Sequence, residues 1–214
     1  MTAEKIAAHI DHTLLKAFCS WEQIKELCDD AVKYKTASVC VPSCFIKQIR
    51  EAYGPDFNIC TVVGFPLGYS NSAGKLAETK QALIDGADEI DMVINITDVK
   101  NGDYQKVEDE IALLKEACGD KVLKVIIETC YLTDEEKIAM CKAVTNAKAD
   151  YIKTSTGFGS AGATMEDVLL MKENIGPDVK IKAAGGIRTK EAMEQFLEAG
   201  CERIGCSSTA VLFE

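Results

Sequence analysis

The 214 residues carry 34 acidic and 24 basic side chains, for a formal net charge of −10, and 47% of them are hydrophobic. A chain of this length suits one domain that buries roughly 70% of the surface exposed on unfolding, so it needs no disulfide or metal staple. The negative charge opposes broad binding to nucleic acid or an acidic membrane, and an anionic substrate requires a locally built site. No apolar run approaches the roughly 18 residues of a membrane span, and Met1 to Lys16 lacks the charged start and apolar stretch of a signal peptide. A cytoplasmic location is expected.

In chain order, β-rich runs fall at Ile10–Leu14, Ser38–Val41, Ile59–Gly64, Glu89–Ile94, Leu123–Glu128, Tyr151–Ser155, Val179–Ala184 and Arg203–Cys206. Between them lie amphipathic segments at Trp21–Tyr34, Lys75–Asp85, Tyr104–Cys118, Asp134–Asn146, Met165–Asn174 and Lys190–Ala199. Ser20, Thr133, Thr164 and Thr189 precede helical runs and fit as N-caps. No linker or low-complexity tract divides the chain, so residues 1–214 are expected to form one domain. Strand–helix alternation demands parallel strands with crossover helices. Eight repeats at this length favour an α/β fold of the (β/α)8 TIM-barrel type over an open doubly wound sheet. The ten cysteines are scattered with no CxxC pair, and they are expected to be reduced core residues. His9 and His12 have no second cluster of ligands nearby, so no metal is expected.

The phase of the polar residues within the strands carries the functional signal. With Ile90, Met92 and Ile94 facing the helices, Asp91 points into the barrel. By the same alternation Lys124, Lys153 and Lys182 point inward from the next three strands. Lysines near strands usually guard edges or solvated ends, but a closed barrel has no edges. Barrel interiors are normally filled with branched apolar residues, so four charges in matching phase mark a working cluster.

A neutral lysine amine condenses with an aldehyde or ketone, and the resulting iminium draws electrons from the neighbouring carbon. An ordinary lysine, with a pKa of about 10.4, is almost wholly protonated at neutral pH. Two ammonium groups about 4 Å apart, at an effective dielectric of about 20, repel by roughly 4 kcal/mol. Lys153 and Lys182, on adjacent strands, are placed so that one can hold its charge while the other gives up its proton. Asp91 can orient a water or relay protons. Phase alone leaves open which of Lys124, Lys153 and Lys182 attacks.

The seventh strand runs into Gly185-Gly186-Ile187-Arg188 and the eighth into Ser207-Ser208. Loops after strands seven and eight of such barrels often hold phosphate, since glycine lets backbone N–H groups approach the anion and serine adds donors. Gly157-Phe158-Gly159-Ser160-Ala161-Gly162 matches GxGxxG, yet no acidic residue ends the following strand, as a dinucleotide site would require. Its glycines are expected to shape the sixth loop instead.

These segments, among them Ile10-Asp11-His12-Thr13, Val63-Gly64-Phe65-Pro66-Leu67-Gly68, Lys153-Thr154-Ser155-Thr156-Gly157 and Lys182-Ala183-Ala184-Gly185-Gly186-Ile187-Arg188, resemble the deoxyribose-phosphate aldolase family over almost the whole chain. The resemblance implies reversible cleavage of 2-deoxy-D-ribose 5-phosphate to acetaldehyde and D-glyceraldehyde 3-phosphate, in deoxyribonucleotide catabolism, with no metal or organic cofactor. It implies Lys153 as the Schiff-base lysine, Lys182 as the neighbour that tunes it and relays protons, and Asp91 as the acid/base carboxylate. Asp11, Thr13, Cys40, Lys124 and Thr156 match positions lining the sugar pocket, while Gly157, Gly185, Gly186, Gly205, Ser207 and Ser208 match the phosphate site. The expected partners are a phosphosugar and an aldehyde, not nucleic acid or membrane, and a homo-oligomer is compatible with this.

Two departures stand out. Some relatives carry a lysine where Phe158 stands, so phosphate affinity here is expected to lean on backbone donors and helix polarity. Many relatives also end in a tail with a terminal tyrosine linked to proton transfer, whereas this sequence ends Val211-Leu212-Phe213-Glu214. Two alternatives stay open: another Schiff-base aldolase of phosphorylated sugars, and a barrel that binds phosphosugars without turnover.

Overall fold

A computed structural model describes residues 1–213. Eight strands run parallel in sequence order: β1 (Ile10–Thr13), β2 (Ser38–Val41), β3 (Ile59–Val63), β4 (Glu89–Val93), β5 (Val122–Ile126), β6 (Tyr151–Lys153), β7 (Lys180–Ala184) and β8 (Arg203–Cys206). β8 pairs back onto β1 and closes the barrel, which rules out the doubly wound alternative.

All eight expected strands are present, but several end early. β3 stops at Gly64 and β5 before Glu128, both in the left-handed region at φ of 62° and 51°. β6 ends at Lys153, and the chain beyond it is drawn toward the fifth loop because Thr156 N–H donates to Glu128 Oε1 at 3.1 Å. These early ends free the chain to build the barrel mouth.

The ring of helices contains α1 (Ala3–Ala7), α2 (Trp21–Tyr34), α3 (Ile46–Tyr53), α4 (Ser72–Asp85), α5 (Ile96–Lys100), α6 (Tyr104–Cys118), α7 (Asp134–Asn146), α8 (Met165–Asn174) and α9 (Lys190–Ala199). All four expected N-caps accept a backbone hydrogen bond, and Ser20 and Thr133 form full capping boxes with Gln23 and Glu136. Unforeseen are α1 and α5, each only five residues long and so too short to show a periodicity. The other is α3, which follows a 3-10 turn and has no side-chain cap to announce it. α4 also begins three residues before the expected Lys75, capped by Asn71.

The apolar core lies between barrel and helices. Ile90, Met92, Leu123, Val125, Ile152, Ile181 and Ile204 face outward and are buried there, as the alternation requires. The inward face is different: Lys124 and Lys182 are among the largest wholly buried side chains of the protein.

The GxGxxG run holds two loops together. A Cβ on Gly162 would lie 2.1 Å from the Gly185 carbonyl oxygen, and one on Gly185 would lie 2.9 Å from Gly162 Cα. Ala163 N–H donates across the same contact to the carbonyls of Ala184 and Gly185. The sixth and seventh loops therefore share one wall, and only residues without a side chain fit there.

Candidate active site

The strand register places the charges. Asp91 stands opposite Lys124, and Lys153 opposite Lys182, which in turn faces Arg203. Each inward side chain reaches its neighbours across a spacing of about 4.8 Å. Asp91 is the hub: its Oδ2 accepts from Lys153 Nζ and Lys182 Nζ, each at 2.7 Å, and its Oδ1 accepts from Lys124 Nζ at 2.8 Å. Lys182 also donates to Asp11, which accepts from Arg203 and from Ser38 Oγ at 2.7 Å. Lys124 pairs further with Glu89 at 2.5 Å, and Glu89 pairs with Arg203 at 2.9 Å.

Burial pushes the Asp91 and Asp11 carboxyls up, but the surrounding cations outweigh it. Lys124, Lys153 and Lys182 hold Asp91 well below the usual carboxylate range, and Lys182, Lys124 and Arg203 do the same for Asp11. Burial likewise opposes the charge on Lys182, yet Asp11 and Asp91 raise it above an ordinary lysine. Lys124 is raised well above that value against the same burial cost, chiefly by Asp91, then by Cys60 and Asp11.

This corrects the expected electrostatics. Lys153 and Lys182 do not face each other bare, because one oxygen of Asp91 bridges both amines. The decisive quantity is the balance of the whole cluster. Asp11, Glu89 and Asp91 supply three carboxylates against the four cations Lys124, Lys153, Lys182 and Arg203. Full ionisation leaves one positive charge in excess in a water-poor interior. Lys124 contacts three of the carboxylates and Lys182 two, whereas Lys153 contacts Asp91 alone.

A cavity of about 270 Å³ opens above this cluster at the C-terminal ends of the strands. Thr13, Lys153, Thr156, Gly157, Gly185, Gly186, Gly205 and Ser207 line it. Lys153 is the one strand lysine in its wall.

Asp11, Cys40 and Lys124, expected to line the sugar pocket, are wholly buried and absent from this wall; Lys124 sits two residues deeper in the barrel than the position paired with Lys153. Asp11 and Lys124 serve as counter-ions, and Cys40 lies in register with Thr13 and Cys60. Ser208 is also absent from the wall, with its N–H donating to Cys206 Sγ at 3.2 Å. A second groove of about 390 Å³, flanked by Ser43, Cys44, Phe65 and Glu78, includes none of the strand lysines.

Thr156, in the cavity wall, also ties the sixth loop to the fifth. Its hydroxyl donates to Glu128 and accepts from Phe158 N–H at 3.0 Å, so its proton is committed to the loop. Glu128 is buried, and it was not singled out from sequence because it sits just past the strand in a left-handed turn that alternation cannot foresee. Glu89 and Arg203 were also missed, although both share the inward phase, of Asp91 and of Gly205 respectively.

Cys40, Cys60 and Asp91 offer ligand atoms within 4.8 Å of one another, a spacing that suits a metal ion. Both oxygens of Asp91 already accept from ammonium groups, and Lys124 Nζ lies 3.3 Å from Cys60 Sγ, so the lysines fill that role.

A closed barrel with a buried lysine–carboxylate cluster opening on a cavity at its C-terminal face defines a barrel enzyme of the aldolase class. The profile of the DeoC/LacD family aldolases matches residues 5–207, and the chain belongs to that family. It is 63% identical over 214 residues to a deoxyribose-phosphate aldolase of Clostridium botulinum, covering 100% of this chain and 97% of the relative. It is 56% identical to that of Clostridioides difficile, with 93% and 91% covered.

Among solved structures, a putative deoxyribose-phosphate aldolase from Coccidioides immitis superposes with a TM-score of 0.93 at 38% identity, covering 97% of this chain and 84% of the other. Another, from Aeropyrum pernix and described as tetrameric, gives 0.89 at 29% identity over 99% of this chain and 91% of the other. No helix among the described residues is long and apolar enough to cross a membrane.

Proposed function

We propose that this chain, acting as one cytoplasmic barrel domain, reversibly cleaves 2-deoxy-D-ribose 5-phosphate to acetaldehyde and D-glyceraldehyde 3-phosphate through a Schiff base on Lys153. The observation that carries the reading is that Lys153 alone both lines the cavity and belongs to the charge cluster. It also has the fewest carboxylate partners. Its amine is therefore the one in the cluster that can meet a substrate carbonyl, and in its neutral form it is the nucleophile.

The amine adds to the C1 aldehyde and expels water to give an iminium. The electron pair of the C2–C3 bond then moves toward nitrogen as the C3 hydroxyl loses its proton. C3 leaves as the aldehyde of glyceraldehyde 3-phosphate. The remaining enamine takes a proton at C2, and hydrolysis releases acetaldehyde and restores the amine.

Asp91, held low by its cations, is suited to anchoring the amines and passing protons through them rather than storing one. Lys182, buried and held by Asp11 and Asp91, keeps positive charge behind the Lys153 amine. Gly157, Gly185, Gly186, Gly205 and Ser207 line the same cavity, which supports the reading that they receive the phosphate.

Borohydride reduction in the presence of acetaldehyde tests this reading, since it fixes the imine as an ethylamine. The expected label is on the peptide containing Lys153. A label on Lys124 or Lys182 with Lys153 unmodified overturns the assignment, and no label during turnover removes the Schiff base altogether.

A further inference from the structure

Besides Lys153, the wall of the cavity contains two cations, Lys16 from the loop after β1 and Arg188 from the loop after β7. Both are exposed, and neither side chain makes an ion pair or a hydrogen bond among the described residues. The Lys16 ammonium merely lies 5.9 Å from the centre of the Phe18 ring. Lys25, Lys100, Lys106, Lys115 and Lys121 hold carboxylates, whereas the Lys16 and Arg188 side chains leave their charge to the cavity they line. Phe158, in the same wall, brings no charge and packs edge-on to Phe65 at 5.3 Å between ring centres.

We infer that Lys16 and Arg188 form the cationic clamp that selects a phosphorylated substrate, supplying from the first and seventh loops the charge that Phe158 withholds from the sixth. A phosphate monoester carries about −1.5 to −2 charges at neutral pH, which two unpaired cations match. They line the same cavity as Gly185, Gly186 and Ser207, so an anion bound there can meet backbone and hydroxyl donors as well as two charges. Cations without a carboxylate to surrender exchange only water for the ligand. The inference rests on the 5-phosphate reading given above.

The test compares kcat/KM for 2-deoxyribose 5-phosphate with that for unphosphorylated 2-deoxyribose in the parent, Lys16→Ala, Arg188→Ala and the double variant. Inhibition by inorganic phosphate is measured alongside. Each single change is expected to lower the ratio by about tenfold or more, the effect of one lost hydrogen bond to a charged group, and to weaken phosphate inhibition in parallel. The parent's ratio should fall with added salt more steeply than that of the double variant. Lys16→Arg should keep the ratio, and Phe158→Lys introduced into Lys16→Ala should restore part of it. A parent that prefers phosphate and variants that keep the same preference overturn the clamp. A parent with no preference for the phosphorylated sugar overturns the substrate reading itself, and the clamp with it.

Discussion

Lys75 and Lys153 are both buried lysines bound to a carboxylate at 2.7 Å, one outside the barrel and the other within it. Lys75, on α4, donates to Glu110 of α6 and to the Val93 carbonyl, while Ser72 Oγ donates to the other oxygen of Glu110. One cation meets one anion there, and the Lys75 side chain is wholly buried. Burial lowers the pKa of Lys75 despite the opposing pull of Glu110, yet the group has nothing to react with. Lys153 differs in two respects: its cluster holds one cation too many, and its amine faces a cavity. Burial and pairing produce a structural lysine, whereas imbalance and access produce a reactive one.

The largest effect that separates the two sites is expected at Lys153 itself. Lys153→Met should lower turnover by about 10⁴-fold and abolish the borohydride label, as loss of a covalent nucleophile does. Lys75→Met should leave labelling of the folded protein intact, and a mutant at position 153 within tenfold of the parent would end the distinction.

The next largest effect belongs to stability. Lys75→Met strands Glu110 in a buried site and should destabilise the fold by about 3–5 kcal/mol in denaturant unfolding. Adding Glu110→Leu should recover most of that loss. If the double change is no more stable than the single one, the pair is not acting as a balanced unit.

Charge imbalance is tested at Lys182. Lys182→Leu leaves three cations for three carboxylates and removes the ammonium that shares an Asp91 oxygen with Lys153. Imine formation at neutral pH should fall by about a hundredfold, with partial recovery in alkaline solution. Circular dichroism confirms folding, and an unchanged pH profile in a folded mutant would show that Lys182 does not tune the amine.

A smaller effect appears in acid. Because the folded-state pKa of Asp11 is depressed, its contribution to stability is present above the ordinary carboxylate pKa and is lost as pH falls toward its folded value. Thermal melts below about pH 4 should therefore show a slope that Asp11→Asn reduces by one proton, about 1.4 kcal/mol per pH unit. Equal slopes would mean that Asp11 is not ionised in the fold. The smallest expected effect is none: turnover should survive exhaustive chelation, with the iminium as electron sink, and a loss restored by Zn²⁺ or Mg²⁺ would overturn that.

Much of this protein was legible in its sequence because strand alternation is strictly local. Once Ile90, Met92 and Ile94 face the helices, Asp91 must face inward, and the same holds for Lys124, Lys153 and Lys182. The four side-chain N-caps and the eight strands followed from equally local rules. What the sequence could not decide was which charges meet and in what ratio. Asp11 and Lys182 lie 171 positions apart and touch only because β8 closes on β1. Glu128 turns back to Thr156 through a left-handed residue that no periodicity announces. Gly162 and Gly185 meet where two loops pack backbone to backbone. Alternation sets the direction of a side chain along one strand; closure of the barrel alone sets its neighbours, and the charge balance that singles out Lys153 is a property of those neighbours.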